Sequence, residues 1–143
     1  MSIDPGSVEH LSEVISHVVA PAFLLGAVAS FASILMTRMN SVLERLRLLN
    51  DLPPSGHAKS AIRSDIPRLK RRLILLHRSF MLSIASGAFA AILILVAFGA
   101  ALLQISHVWS AAILFMISMA FLLASLLMMA REVVIGLSEH DFS

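Results

Sequence analysis

The stretch that decides the fold runs from Arg38 to Arg78 and reads RMNSVLERLRLLNDLPPSGHAKSAIRSDIPRLKRRLILLHR. It holds ten of the eleven Lys and Arg residues and only three acidic residues, which gives it a formal charge of +7, while the whole chain carries +2. Long apolar runs flank it on both sides. Short basic segments between apolar runs stay on the cytoplasmic side of a membrane. The pattern therefore predicts an integral membrane protein with this segment in the cytoplasm.

The composition also indicates a membrane protein. Of the 143 residues, 58% are hydrophobic and 14% are charged, whereas a soluble domain is about 45–50% apolar and about 25% charged. The chain has no cysteine, which excludes disulfides and thiolate metal sites. Its basic segment contains no aromatic residue for stacking on bases, so we expect no nucleic-acid partner.

Three apolar runs are long enough to cross a bilayer, and they cover about residues 18–36, 79–103 and 108–130. The shortest has 19 residues and no ionisable side chain, and as a helix it would extend roughly 28 Å across a hydrocarbon core of about 30 Å. We therefore predict a single membrane domain over residues 1–143 in a bacterial inner membrane. The basic segment places the N-terminus outside and the C-terminus inside.

Two apolar seams in and beside the basic segment predict a helical hairpin, because each steps alternately by four and three residues. The first seam consists of Leu35, Met39, Val42, Leu46 and Leu49, and the second of Ile62, Ile66, Leu69, Leu73, Leu76 and Phe80. Two prolines and a glycine between residues 53 and 56 end the first helix, and Asp65 is expected to cap a longer second helix. The expected fold class is all-α: three transmembrane helices, the first two extended into a cytoplasmic antiparallel hairpin over about residues 37–78.

Small and hydroxylated residues form a stripe on the first span, which ends at a basic residue: Gly26, Ser30, Ser33, Thr37 and Arg38. A second stripe continues the seam into the second span through Ser83 and Gly87. Small residues at this spacing allow close approach of helices in lipid. We expect one stripe to be used within the chain and the other to contact a second copy. That contact would serve packing alone or surround a pore, in which a ring of Arg38 side chains favours anions.

Short motifs border the three spans. They are Ala20-Pro21, then Arg38 and Asn40 with Arg45-Leu46-Arg47, then Leu69-Lys70-Arg71-Arg72, and finally Arg131-Glu132. With these motifs the chain resembles DUF2721, a family of small bacterial three-pass membrane proteins of unknown function, over roughly residues 14–137. The resemblance implies the three-span architecture, and it implies no activity.

A metal site is one hypothesis for the first residues of the chain. His10, Glu13 and His17 have the spacing i, i+3, i+7, which places them on one face of a helix. Two imidazoles and a carboxylate suit zinc or a similar divalent ion, and His107 would lie on the same side of the membrane. The alternative is an amphipathic turn at the membrane interface whose polar face includes histidines.

Charged side chains form two further candidate groups at the cytoplasmic boundary. In the first group Glu132 is expected to neutralise Arg38 or Arg78, with Arg131 beside it; the alternative is that each charge extends independently to water. The second group consists of Lys70, Arg71 and Arg72. These three are expected to point to solvent or to anionic lipid headgroups.

The sequence contains no catalytic motif. No ionisable residue lies within the three predicted spans, which disfavours an ion-coupled transporter, and neither a phosphate loop nor a His-Glu-x-x-His motif is present. We expect a non-enzymatic protein without a cofactor. Two functions stay open: a self-assembling homo-oligomer, with an ion or small-solute pore as one purpose, and a small accessory or structural subunit packed against a larger membrane complex.

Overall fold

The computed structural model describes residues 5–51, 58–103 and 108–138, and this part of the chain is entirely helical. Helix α1 covers Pro5–Asp51, α2 covers Ala58–Leu103 and α3 covers Val108–Leu137. All three are long and apolar enough to cross a membrane. The all-α class and the multi-pass membrane character are therefore confirmed.

The helices are longer and more continuous than the sequence suggests. Helix α2 begins at Ala58 and passes through Asp65 and Pro67 without interruption, whereas a new helix was expected at Asp65. Proline lacks one amide donor and fixes a helical φ angle. Pro21 likewise lies inside α1.

The chain forms two compact units, and each of them contains parts of all three helices. Unit 1 consists of Met1–Ser30 and Ser83–Leu122, and unit 2 of Phe31–Leu82 and Leu123–Ser143. In unit 1, Leu24, Val28 and Ala90 are buried together. A side chain at Gly87 would place its Cβ 3.2 Å from Cγ1 of Val28, so glycine permits the close approach of α1 and α2 there.

The core of unit 2 is built from large aliphatic side chains. Leu35 and Val42 of α1 are buried with Leu69 and Leu76 of α2. Further members of both predicted seams pack against these four, namely Met39, Leu46, Leu49, Leu73 and Phe80. The predicted packing of seam against seam is therefore confirmed for these nine residues. Ile66 is not among the residues that pack against this core, and the side chain of Ile62 lies outside the described residues.

Candidate functional site

The most unusual side chain of unit 2 is Glu132, a carboxylate on α3 with no exposed surface. Arg72 of α2 donates two hydrogen bonds to its Oε1 atom, from Nε at 2.9 Å and from Nη2 at 2.8 Å. Bonds between two charged groups are about twice as strong as neutral ones. A buried charge is costly unless it is paired in this way, so Glu132 depends on Arg72.

A second arginine approaches the other oxygen of the same carboxylate. Nε of Arg38, on α1, lies 3.5 Å from Oε2 of Glu132. This distance is an ion-pair contact, too long for a good hydrogen bond. Within the described part of the chain Oε2 has no hydrogen-bond partner although it is fully buried. Oε1 thus accepts two hydrogen bonds, whereas Oε2 can still accept one.

A seven-residue spacing on α2 and α3 aligns Arg72 with Glu132. Seven residues after Arg72, Ser79 donates a hydrogen bond to the backbone oxygen of Ser125 at 2.7 Å, and Ser125 returns one to Ser79 at 2.6 Å. Glu132 follows Ser125 by seven residues. Two helical turns bring a side chain back to nearly the same face. The serine pair and the charged pair therefore lie in the same register of α2 against α3.

Glycine at position 136 makes room for the guanidinium of Arg72. Gly136 lies four residues after Glu132 on α3, hence on the same face. A Cβ at this position would lie 2.9 Å from Nη2 and 3.2 Å from Cζ of Arg72. Any larger residue would displace the guanidinium, so the absence of a side chain here is part of the geometry of the pair.

An open pocket of about 360 Å³ lies beside the charged pair. Helix α1 lines it with Arg38, Ser41, Val42 and Arg45, α2 with Leu69 and Arg72, and α3 with Glu132. Three arginines and one glutamate give the pocket a formal charge of +2. We call it the arginine pocket. Its volume lies within the range of about 300–1,000 Å³ that is usual for small-molecule sites.

A family model described as "Protein of unknown function (DUF2721)" matches residues 18–141, which is most of the chain. The chain belongs to this family. No curated protein and no solved structure matches it. In this DUF2721 protein, residues from motifs far apart in sequence (Arg38, Arg45, Arg72 and Glu132) lie in the one arginine pocket.

The structure distinguishes among the arginines that were expected near Glu132. Arg38 contacts it, whereas Arg78 and Arg131 are exposed. Arg72, which was expected to face solvent or lipid headgroups, is only 14% exposed and is the main partner of Glu132. The cause is its position on the face of α2 that packs against α3. Its neighbours Lys70 and Arg71 are exposed, as their place in the sequence suggested.

The two predicted stripes have different environments. In unit 1, Ser83 is buried and Gly87 is covered by Val28. On α1 the members Gly26, Ser30, Ser33 and Thr37 are all exposed. The hydroxyls of Ser30 and Thr37 donate to backbone oxygens of their own helix, each at 3.0 Å. The second-span stripe is therefore used within the chain, and the first-span stripe is uncovered.

The predicted metal ligands lie on α1. His10, Glu13 and His17 are exposed, and among the described residues no group of three or more His, Asp or Glu side chains is arranged to hold a metal ion. His107 lies outside the described residues. Metal binding at the start of the chain stays a prediction.

Proposed function

We propose that this protein is a non-enzymatic membrane protein that assembles into a homo-oligomer through the small-residue stripe of α1. The observation that carries the proposal is the exposure of this stripe, while the corresponding positions of α2 are covered. In lipid, apolar surface alone does not drive helices together, and small residues favour association because they allow close packing.

The stripe is suited to close approach by a second copy. Nothing lies within 4 Å of the position that a Cβ of Gly26 would occupy. The hydroxyls of Ser30 and Thr37 are bonded to their own helix, so covering them leaves no donor without a partner. The same surface is present on every copy, and identical surfaces usually assemble with closed symmetry.

The same hydrogen bonds favour packing over the lining of a pore. A pore would use the hydroxyls of Ser33 and Thr37 and a ring of Arg38 side chains. Thr37 already donates to the backbone of its own helix, and Arg38 contacts Glu132. Ion or small-solute passage is therefore a separate part of the proposal, and a flux measurement tests it.

The native mass of the purified protein in mild detergent tests the assembly. We expect a homo-oligomer for the wild type and a monomer for Gly26→Leu. Gly99→Leu is the matched control, because a Cβ at Gly99 also meets nothing within 4 Å; it should leave the mass unchanged. A monomeric wild type that co-purifies with a larger complex would replace this proposal with the accessory-subunit function.

Flux through reconstituted vesicles tests the pore separately. If the assembly serves packing only, vesicles containing the wild type will retain ions and small solutes as well as empty vesicles do. Selective leakage that Gly26→Leu abolishes would establish conduction through the assembly.

We further propose a bacterial inner membrane as the location, with the basic segment in the cytoplasm, the N-terminus outside and the C-terminus inside. The support is the charge of +7 between Arg38 and Arg78, which favours retention on the cytoplasmic side. Single cysteines at Ser7 and Ser55 test it with an impermeant thiol reagent on intact cells. Labelling at position 7 alone is expected, and labelling at position 55 alone would reverse the orientation.

A further inference from the structure

The arginine pocket contains more positive charge than its own acid can neutralise. Glu132 is the only acidic residue among its lining residues, against three arginines. Arg45 is exposed and has no hydrogen bond or ion pair to any residue in the described part of the chain. Arg38 has only its long contact with Glu132 there. A ligand that fills this pocket is therefore expected to be an anion, and a divalent metal cation is disfavoured.

The shape of the two arginines favours a phosphate group. Arg38 and Arg45 lie seven residues apart on α1, and both line the pocket. Each guanidinium presents several N–H donors in a planar fork that matches the oxygens of phosphate. Ser41 lies between the two arginines in the sequence and also lines the pocket.

The pocket also offers two acceptors, which a bare phosphate ester without hydroxyl groups would leave unused. Oε2 of Glu132 is fully buried and has no hydrogen-bond partner in the described residues. The Ser41 hydroxyl donates to the backbone oxygen of Thr37 at 3.1 Å, so toward the pocket it can accept. The hydroxyl groups of a polyol would supply donors to both: Ser41 is exposed, whereas Oε2 is reached only if the Arg38 guanidinium, 3.5 Å away, turns from it toward the phosphate.

We propose that the arginine pocket binds the phosphate ester of a polyol, and that its source is the headgroup of an anionic phospholipid such as phosphatidylglycerol. Arg38 and Arg45 hold the phosphate, and headgroup hydroxyls donate to Glu132 and Ser41. Arg38 lies two residues after the end of the apolar run of residues 18–36, so the pocket begins at the depth where headgroups border the hydrocarbon core. A soluble polyol phosphate has the same chemistry without acyl chains.

This site shares Arg38 with the α1 stripe, but Arg45, the residue that its test changes, lies outside the stripe; the site also differs from a diffuse basic surface. Lys70 and Arg71 are exposed and do not line the pocket. They attract anionic membranes by charge alone, at about 1 kcal/mol per residue near the surface. The arginine pocket instead discriminates between headgroups, because it presents acceptors as well as donors.

Calorimetric titration of the full-length protein in mild detergent with dioctanoyl phosphatidylglycerol tests the site. Arg45→Gln should weaken binding about tenfold, the effect of losing one charge-assisted contact. Arg47→Gln is the matched control: it removes the same charge from the same helix, at an exposed residue outside the pocket. It should change the Kd less than twofold. Arg45→Lys keeps the charge but lacks the planar guanidinium, so its Kd should lie between those of Arg45→Gln and Arg47→Gln.

A series of ligands identifies which groups are recognised. Dioctanoyl phosphatidylmethanol has the same charge without headgroup hydroxyls, so it should bind several-fold more weakly; zwitterionic dioctanoyl phosphatidylcholine should bind more weakly still. Glycerol 3-phosphate is the soluble probe, and tighter binding of it than of the lipid would overturn the lipid source. Equal losses from Arg45→Gln and Arg47→Gln, or no preference for phosphatidylglycerol over phosphatidylmethanol, would overturn the site.

Discussion

The two units of this protein use different side chains to hold the same three helices. Unit 1 packs around Leu24, Val28 and Ala90, with Gly87 allowing close approach and Phe89 stacked on Phe121 at 5.4 Å between ring centroids. Unit 2 packs around four large aliphatic residues and a buried ion pair. Each unit also contains one reciprocal serine pair between α2 and α3.

The difference reflects the sequence surrounding each core. Residues of unit 1 come largely from apolar runs. In these runs large hydrophobic residues occur on every face of the helix, so they do not mark the face that contacts another helix. Small residues and hydroxyls then select the contact. Unit 2 includes the basic segment, in which charged residues occupy the other faces. There a leucine seam is distinctive, and burial of large apolar groups determines the packing.

The largest effect is expected at the ion pair of unit 2. Glu132→Gln leaves Arg72 charged, 14% exposed and without its carboxylate, and removing one partner of a buried pair costs about 3–5 kcal/mol. Chemical denaturation in mixed micelles measures the loss. Arg131→Gln, one residue earlier and exposed, is the control and should change stability by less than about 0.5 kcal/mol.

Replacing both partners of the ion pair with apolar residues removes the buried charges and keeps most of the side-chain volume. Glu132→Leu combined with Arg72→Met leaves no buried charge in the pair, and such replacements are often neutral or stabilising. We expect the double variant to recover most of the stability that Glu132→Gln loses. A double variant as unstable as Glu132→Gln would show that unit 2 depends on the hydrogen bonds between Arg72 and Glu132. Unit 2 would then differ less from unit 1.

The next largest effect concerns the aliphatic core of unit 2. Leu76 is fully buried, and Leu76→Ala should cost about 2–5 kcal/mol through lost contacts and a cavity. Ile74→Ala, on the same helix but 54% exposed, should cost much less in the same denaturation experiment. Similar losses from the two substitutions would mean that the leucine seam does not form the core of unit 2.

Much of unit 2 could be predicted from the sequence, because its pattern contrasts with its surroundings. The alternating steps of four and three residues from Leu35 and from Ile66 are visible only because charged residues separate them. The contact between Arg38 and Glu132 was also predictable, since both residues border a span. Periodicity and charge are local signals that need no knowledge of a partner.

The partner of each polar residue on α2 could not be predicted in the same way. Arg72 stands beside Arg71 in a basic run, and composition does not tell which of them faces α3. Nothing in the sequence marks Ser118 and Ser125, because serines are ordinary in apolar spans. The available signal was the shared seven-residue spacing of Arg72, Ser79 and Ser86 with Ser118, Ser125 and Glu132, and it becomes informative once α2 and α3 are known to be neighbours.

The smallest effect, and the most direct comparison of the units, is expected at the serine pairs. Ser86 donates to the backbone oxygen of Ser118 at 2.8 Å, and Ser118 returns a bond at 2.7 Å; the pair in unit 2 has nearly the same geometry. Hydrogen bonds between membrane helices contribute about 0.6 kcal/mol on average. Ser86→Ala and Ser79→Ala should therefore each cost about 0.5–1.5 kcal/mol on denaturation in mixed micelles.

The relative stability losses of Ser86→Ala and Ser79→Ala show how the serines stabilise the contact between α2 and α3. Equal losses would mean that each hydroxyl contributes through its hydrogen bond alone, whatever surrounds it. We expect the larger loss for Ser86→Ala, because unit 1 has no ion pair among its described residues to hold α2 against α3. Ser16→Ala is the control, since Ser16 is exposed, bonds only to its own helix and lies outside the α1 stripe. A loss at Ser16 as large as at Ser86 would show that the contacts between helices are not the cause.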